Sequence, residues 1–274
     1  MLICESLSCN RSASYYHCTQ PFKDEPWLDK IVSILQTHPH YGIKRLYLSF
    51  KLQGITISQS KIRRICRSSG IVSKRRRSKP PDRDRNIPES KIPNLVKSLI
   101  QQDLIQKPDQ VWSGDFSYLK IWGLWYYLAT VIDVYTKEIV GFSISNNHNT
   151  ELITKALQIA VNKNRKPNIF HSDQGSEYTS ITYQDILQNL NIQQSNSKKA
   201  SPWENGYQES FYGKFKQELQ IHRLQSCNSY IEIYSMIAEQ INYYNNQRIH
   251  TTIENTPSGF YKQCQSKIME TEKL

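Results

Sequence analysis

The sequence predicts an α/β protein in which a mixed sheet flanked by helices follows a small basic all-α region. Three observations support this. Apolar residues recur at helical spacing up to about residue 70, a polar stretch marked by prolines follows, and strand-like segments rich in aromatic and β-branched residues begin near Gln110. With 274 residues, 38% of them hydrophobic, the chain is long enough for one large domain or two smaller ones.

Three helices are predicted in the first 79 residues. The first has its apolar face within residues 28–35, and the second begins near residue 43 and is closed by Gly54. Ser58 is suited to be the N-cap of the third helix, which Gly70 ends. Two helices joined by a short turn form a helix-turn-helix arrangement, so we expect residues 1–79 to be a DNA-binding region.

The third predicted helix and the segment after it are strongly basic. Residues 61–79 contain nine basic side chains and no acidic one. Clustered cations repel one another unless an anion compensates, and DNA phosphates would do so, although a solvated basic face is the alternative. The net charge of +11 also favours a polyanionic partner. The predicted DNA contacts here are Lys61, Arg63, Arg64, Arg67, Lys74, Arg75, Arg76 and Arg77.

Composition argues against membrane insertion and export. The longest apolar stretch, residues 123–134, is too short to span a bilayer and contains Asp133. The first ten residues lack the basic start and apolar run of an export signal, so we expect a cytoplasmic protein. Three of the six cysteines lie in the first 18 residues near His17, which leaves a zinc site open, but free thiols are the favoured interpretation.

A linker is predicted over residues 80–104, with one helical stretch around residues 92–100. The elements predicted after it are strands over 112–121, 125–134 and 138–145, a helix over 150–162, a strand over 167–171, a helix over about 178–190 and a strand over 192–195. Three hairpin-connected strands followed by helix, strand, helix and strand is the element order of the ribonuclease-H-like fold. We expect this core over residues 105–225 and a helical extension over 226–274.

Three carboxylates are expected to meet in this fold. Asp115 lies in the middle of the first strand among apolar neighbours, where an unpaired charge is costly. Asp173 follows the fourth strand, which adjoins the first, and Glu209 lies on a later helix. Together they would repel one another unless divalent cations bind, and hard oxygen ligands select Mg²⁺ or Mn²⁺. Two such ions can activate the attacking oxygen and stabilise the leaving oxygen of a phosphodiester.

The motifs around these carboxylates resemble those of the retroviral-integrase superfamily. The matching residues are Trp112, Asp115, His171, Ser172, Asp173, Gly175, Tyr178, Pro202, Asn205, Glu209 and Lys216. More narrowly, the sequence looks like the second-frame (OrfB) transposases of two-frame bacterial insertion sequences. That group shares the interval of 35 residues between Asp173 and Glu209, the basic helical region and a Tyr-Asn-x-x-Arg-x-His element after residue 243. Gly114, Ser117 and Glu204 depart from the residues usual in the family.

The resemblance implies a DDE transposase that cuts and joins DNA strands. Asp115, Asp173 and Glu209 would be the catalytic metal ligands, holding two Mg²⁺ or Mn²⁺ ions, and Asn205 and Lys216 would contact DNA. The implied partners are element ends and target DNA, further copies of the chain on paired ends, and a first-frame helix-turn-helix protein joined to this chain by frameshifting. The alternatives are a nuclease that hydrolyses without joining and a DNA-binding regulator without catalysis.

Four further side chains near the predicted site receive mainly structural interpretations. We expect Asp133 to cap the turn that follows it, and Glu177 to face solvent or cap the next helix. For His171, a hydrogen-bonded core residue is at least as well supported as one that polarises water. Lys216 shares a helix face with Glu209, where a phosphate contact is slightly favoured over a salt bridge.

Overall fold

The computed structural model describes residues 20–71, 92–198, 206–219 and 221–271. The chain divides into two compact units, residues 1–76 and 77–274. Several predictions fall outside the described residues: the DNA contacts at Lys74, Arg75, Arg76, Arg77 and Asn205, and the N-terminal cysteines near His17. No helix in the described ranges combines the length and apolar composition needed to cross a bilayer.

Three helices form the described part of the first unit, namely α1 (Gln20–Thr37), α2 (Ile43–Leu52) and α3 (Gln59–Ser68). Their buried side chains include those expected from the helical spacing: Ile31, Leu46, Phe50, Ile62 and Ile65. The predicted cap of α3 is confirmed, because the Ser58 side chain accepts a hydrogen bond from the Lys61 N–H at 3.2 Å. Gly54 and Gly70 have φ values of +73° and +68°, a left-handed conformation that favours glycine after a helix end.

The second unit is a five-stranded mixed sheet with helices. Its elements are α4 (Leu95–Gln101), β1 (Val111–Ile121), β2 (Leu124–Asp133), β3 (Ile139–Ser145), α5 (Thr150–Val161), β4 (Ile169–Ser172), α6 (Ile181–Asn189), β5 (Gln193–Asn196), α7 (Gly206–Glu218), α8 (Ile221–Leu224), α9 (Tyr230–Asn246) and α10 (Pro257–Thr271). The strand order is β3-β2-β1-β4-β5, with an antiparallel meander and parallel pairing of β1 to β4 and of β4 to β5. The predicted ribonuclease-H-like fold is confirmed.

Helices cover both faces of this sheet. On one face, α7 and α9 pack against Leu119 and Leu128, and α9 contributes the seam predicted for it: Ile233, Ile237, Ile241 and Tyr244. On the other face, α5 and α6 pack against Trp112 and Phe170. Each strand therefore alternates side chains between two apolar layers, so that a polar group at the sheet centre needs a specific partner.

The described part of the predicted linker packs against the sheet. Helix α4 begins after Asn94, which accepts a hydrogen bond from the Lys97 N–H, and the Leu95 N–H donates to Ser195 Oγ at 2.9 Å. The Asn196 N–H donates to the Pro93 carbonyl oxygen. β5 is an edge strand whose outer backbone groups need partners, and this segment supplies one of them, to the Asn196 N–H. The domain boundaries themselves stay a prediction.

The C-terminal Tyr-Asn-x-x-Arg-x-His element holds α9 to the rest of the unit. The Asn245 side-chain amide pairs with both the N–H and the carbonyl oxygen of Ile139, at 2.9 Å each. Arg248, which is buried, donates two hydrogen bonds to Glu218 on α7. Asn245 thus binds the edge strand β3, and Arg248 connects the segment after α9 to α7.

A buried ionic cluster lies at the opposite end of β4 from Asp173. Arg165 contacts the carboxylates of Asp109, Asp133 and Glu138. Asp133 is fully buried, and one of its oxygens accepts hydrogen bonds from two successive N–H groups of the following turn, at 2.8 and 2.9 Å. The prediction that Asp133 caps this turn is confirmed.

Candidate active site

The pairing of β1 with β4 brings Asp115 and Asp173 together. The parallel register aligns Val111 with Ile169 and Ser113 with His171. Continued along the strands, the same offset sets Asp173, the first residue after β4, beside Asp115. Neighbouring parallel strands therefore present two carboxylates at one level of the sheet, as predicted from the element order.

Backbone contacts fix the loop that carries Asp173. One of its carboxylate oxygens accepts a hydrogen bond from the Gly175 N–H at 3.0 Å. Its carbonyl oxygen accepts hydrogen bonds from the Asn196 side-chain amide at 3.1 Å and from the Ser172 hydroxyl at 3.0 Å. Since Asn196 is fully buried at the end of β5, the loop is held from both its own strand and the next one.

Two polar side chains of α7 hold that helix against the strand that carries Asp115. Gln208 is fully buried, and its amide N–H₂ donates to the carbonyl oxygens of Ser113 and Thr130. The Tyr212 hydroxyl lies 2.9 Å from the Asp115 carbonyl oxygen and 2.9 Å from the Thr130 hydroxyl. These contacts determine the position of α7 along β1, and with it the position of Glu209, which follows Gln208 directly.

The charges of Asp173 and Glu209 both act on Asp115. The pKa of Asp115 is raised to about 7, first by burial, then by the negative charge of Asp173 and further by Glu209. The Phe116 N–H and the Lys216 ammonium group oppose this rise. Burial also raises the pKa of Asp173, against the hydrogen bond from Gly175. The site therefore destabilises the ionised form of Asp115 and Asp173.

A divalent cation would relieve this electrostatic conflict. Carboxylate oxygens are the ligands that Mg²⁺ and Mn²⁺ prefer, so the donor set of Asp115, Asp173 and Glu209 fits such an ion. Within the described ranges, no three His, Cys, Asp or Glu side chains are already arranged to hold a metal ion. Glu209 is exposed in the first turn of α7, so completing a ligand set requires this side chain to turn toward the two aspartates.

Lys216 extends from α7 toward the same carboxylates. Its ammonium nitrogen lies 4.6 Å from the centre of the Tyr118 ring. Burial lowers its pKa, and the charge of Asp115 counteracts part of that shift. Because the charge of Asp115 acts on this ammonium group, Lys216 can also contact a phosphate group that approaches Asp115.

Two neighbours of Asp173 have structural contacts. His171 is buried with Nδ1 2.9 Å from the Ser195 hydroxyl, which supports its interpretation as a core residue. The expectation that Glu177 faces solvent or caps the next helix is wrong. Glu177 is buried and pairs with His148 at 2.8 Å, because the turn after Asp173 directs it inward, and Ser180 caps the helix instead.

The departure from the family pattern at Gly114 has a packing reason. A Cβ atom at this position would lie 2.4 Å from the Phe170 ring and 3.3 Å from the Tyr178 ring. Both rings belong to the buried layer beneath β1 and β4. Glycine therefore lets two large aromatic side chains close against the strand beside Asp115.

The predicted DNA contacts on α3 differ in their surroundings. Arg63 and Arg67 are exposed. Arg64 instead pairs with Asp24 at 2.8 Å, and the Lys61 ammonium nitrogen lies 4.3 Å from the centre of the Trp27 ring. All four stay predictions as DNA contacts, with the charge of Arg64 already partly neutralised within the helical unit.

Sequence reasoning missed Gln208, Tyr212 and Asn196. Gln208 and Tyr212 are four residues apart in a helix whose remaining inward positions are aromatic, and that spacing was the available signal. Asn196 ends a short strand and has no comparable pattern around it. All three act through backbone groups of distant segments.

Comparison with known proteins gives matches along most of the chain. Residues 105–202 and 190–257 match Integrase core domain families, and residues 22–79 match an HTH-like domain family. The chain is 31% identical to the transposase for insertion sequence element IS904 of Lactococcus lactis subsp. lactis, over 85% of this chain and 92% of that protein. It is 30% identical to an uncharacterized 31 kDa protein of insertion element IS600 from Shigella sonnei, over 94% of this chain and 97% of that protein.

Among solved structures, the fold is similar to a chain in the cryoEM structure of a simian T-cell lymphotropic virus intasome in complex with PP2A regulatory subunit B56 gamma. The TM-score is 0.52 at 17% sequence identity, and the match covers 83% of this chain and 73% of that chain. At this identity the similarity concerns the fold alone.

Proposed function

The chain belongs to the transposases of insertion sequences, enzymes with an integrase catalytic core, and we propose that Asp115, Asp173 and Glu209 are its catalytic carboxylates. The observation that supports this assignment is electrostatic. The charges of Asp173 and Glu209 both raise the pKa of Asp115, at the level of the sheet where β1 and β4 run side by side. Carboxylates whose charges repel one another lower the free energy of unfolding. Proteins tolerate this cost where the carboxylates bind a cation.

The reaction that we propose has two steps on DNA. Hydrolysis at the end of the element breaks a phosphodiester and leaves a 3′-hydroxyl. That hydroxyl then attacks a second phosphodiester, whose bridging oxygen leaves, so one bond forms as one breaks. Asp115, Asp173 and Glu209 would hold divalent ions, two in our proposal, which would supply activation of the attacking oxygen and stabilisation of the leaving oxygen.

The chain's own groups position the carboxylates and the DNA. The Gly175 N–H orients the Asp173 carboxylate, and Gln208 and Tyr212 hold the helix that carries Glu209. Lys216 would neutralise a phosphate beside Asp115, because its ammonium group is already within electrostatic reach of that residue. In the helical unit, the exposed Arg63 and Arg67 would contact phosphates. We propose the same role for Lys74, Arg75, Arg76, Arg77 and Asn205.

A strand-transfer assay with Mg²⁺ tests this proposal. The substrate is a labelled duplex of the element end, already cut to expose the 3′-hydroxyl, mixed with an unlabelled target duplex. We expect labelled products longer than the substrate. Shortened products alone would indicate a nuclease that does not join strands, and unchanged substrate that is nevertheless bound would indicate a regulator.

We further propose that this chain acts in the bacterial cytoplasm as an oligomer on paired element ends, with a first-frame product contributing to end recognition. The basic residues of the helical unit favour phosphates rather than base edges, which supports weak sequence preference by this chain alone. In a gel-shift competition at fixed salt, end and random duplexes should bind within about one order of magnitude of each other. A preference of roughly 10³ by this chain alone would contradict the need for a partner.

Mg²⁺ should stabilise the protein more at pH 8 than at pH 6. The pKa of Asp115 is raised from 3.8 to about 7 by burial and by Asp173, so its contribution to stability is fully present below the ordinary pKa and is lost as pH rises from there through about 7. A bound cation must displace this proton, so binding becomes easier as the proton leaves. The gain in Tm on adding Mg²⁺ is measured by differential scanning fluorimetry. An Asp115→Asn variant is the control and should show a much flatter pH dependence; equal gains of the wild type at both pH values would contradict the prediction.

Gln208 is expected to act as a positioning residue for Glu209. In Gln208→Leu, the carbonyl oxygen of Ser113 and the hydroxyl of Thr130 each lose a buried partner, so the free energy of unfolding should fall by about 1–3 kcal/mol. Strand transfer at saturating DNA and temperatures well below Tm should fall as well, although the side chain touches no substrate. Ser210→Ala, one residue past Glu209 on the exposed side of α7, should change neither quantity. Unchanged strand transfer in a destabilised Gln208→Leu would leave Gln208 a purely structural residue.

A further inference from the structure

The hairpin formed by β1 and β2 exposes an aromatic surface next to the catalytic carboxylates. Tyr118 and Trp125 are 59% and 48% exposed, and their rings meet edge to face with centroids 5.3 Å apart. Single exposed apolar residues are common, but a contiguous exposed apolar patch often marks a binding site. We call Tyr118, Trp125 and the two lysines beside them, Lys120 and Lys216, the hairpin surface.

Both rings of the hairpin surface have a lysine nearby. The Lys216 ammonium nitrogen lies 4.6 Å from the centre of the Tyr118 ring, and that of Lys120 lies 5.7 Å from the centre of the Trp125 ring. Exposed ring faces alternating with cations are the combination with which proteins bind single-stranded nucleic acid, since bases stack on the rings and phosphates meet the cations.

The hairpin surface also borders the active site. Lys216 connects the two: its ammonium group lies beside the Tyr118 ring and within electrostatic reach of Asp115. Tyr118 itself is three residues beyond Asp115 on β1, so its side chain leaves the opposite face of the strand. A row of rings continues along the face of the hairpin that carries Tyr118, where the ring centroids of Phe116 and Tyr127 lie 6.2 Å apart in edge contact. A nucleotide that left the duplex near the scissile phosphate would therefore meet aromatic side chains within a few residues of the carboxylates.

We propose that the hairpin surface stacks unpaired bases of the DNA strand that adjoins the scissile phosphate. The inference rests on the proposed function and specifies its substrate, namely DNA whose end is locally unpaired. Charge decides between this occupant and a second copy of the chain. Another copy would also bring a net charge of +11 toward two lysines, whereas a DNA strand brings the opposite charge.

Fluorescence anisotropy at fixed salt, with EDTA to prevent cleavage, tests the proposal on the full chain. The probes are a fully paired duplex, the same duplex with several unpaired nucleotides at one end, and a single-stranded oligonucleotide. In Tyr118→Ala and Trp125→Ala, affinity for the two DNAs with unpaired bases should fall about tenfold, as expected for losing one stacked base. Affinity for the paired duplex should change by less than about twofold, because its bases are not available for stacking.

Three further variants distinguish base stacking from a general loss of apolar surface or of folded protein. Tyr118→Phe keeps the ring and should bind like wild type. Trp125→Leu keeps apolar volume without a ring, so it should lose affinity like the alanine variant, and it replaces that variant if Trp125→Ala does not fold. Tyr234→Ala removes an exposed aromatic residue on α9, away from the hairpin, and should bind like wild type.

Several outcomes would overturn the proposal. These are equal losses on paired and unpaired DNA, no loss on either, or wild-type affinity of Trp125→Leu. A change in oligomeric state of the alanine variants by light scattering, with DNA binding unchanged, would make the surface an interface between copies. Strand transfer in Mg²⁺ from the end with unpaired nucleotides tests the proposed function separately: its absence from the wild type, with the stacking losses present, would refute only that function.

Discussion

Replacing any one of Asp115, Asp173 and Glu209 by its amide should reduce strand transfer by at least about 10³-fold while DNA affinity changes by less than about twofold. The three side chains act as one ligand set, so a single loss should be nearly as severe as the loss of all three. Binding should survive because phosphate contacts, rather than the carboxylates, supply most of the affinity for DNA.

The measurement is the strand-transfer assay with a pre-cut end, run beside anisotropy on the same duplex. Asp185→Asn, which removes an exposed carboxylate on α6, is the matched control and should retain full activity. Asp115→Asn gives an internal check on folding. Since burial and Asp173 already raise the pKa of Asp115, removing the charge should leave the metal-free protein at least as stable at pH 8. Near-normal strand transfer by any of the three variants would remove that residue from the ligand set.

Replacing Arg165 by methionine should lower the free energy of unfolding by about 3–5 kcal/mol, because it leaves buried carboxylates without their cation. Arg165 reaches Asp109, Asp133 and Glu138 together, and Asp133 is fully buried. The pKa of Asp133 is raised to about 6 by burial even with the arginine in place, so removing Arg165 should raise it further.

Urea unfolding of the full chain measures this effect. Lys166→Met removes the next positive charge along the chain, which is exposed, and should cost less than about 1 kcal/mol. Because protonation neutralises the stranded carboxylates, the deficit of Arg165→Met should shrink as pH falls from 8 to 5. A deficit equal to that of Lys166→Met would mean that the cluster adds nothing beyond an ordinary surface charge.

Local patterns were sufficient to predict most elements and the approach of Asp173 to Asp115. Alternation and helical spacing depend on neighbouring residues, so the meander, the capping Ser58 and the α9 seam could be predicted from short windows. Asp115 and Asp173 follow from the same reasoning, because strand order decides which strand ends are adjacent. Glu209 depended on the resemblance to a family, since its helix gives no sign of which strand it approaches.

The contacts that hold the site together could not be predicted in this way. Arg165 meets Asp109, and Gln208 meets Ser113, across long stretches of chain. The residues around Arg165 and Gln208 in the sequence form no pattern that indicates a buried contact. Their partners are carboxylates and backbone groups, which occur throughout the chain. The prediction for Glu177 was wrong for a related reason. Its partner His148 lies on another segment, and no periodic pattern in the sequence indicates that the Glu177 side chain turns inward.

The close fit at Gly114 couples three positions of the sequence in evolution. Threonine, which the resemblance to the family implies at this position, would collide with Phe170 and Tyr178. A lineage that acquired threonine first would pass through an overpacked intermediate, and one that shrank Phe170 first would pass through an intermediate with a cavity. Substitutions at these positions should therefore show epistasis. In an alignment of relatives, a β-branched residue at 114 should covary with a smaller side chain at 170, and a Gly114→Thr, Phe170→Leu double variant should unfold less readily than Gly114→Thr alone.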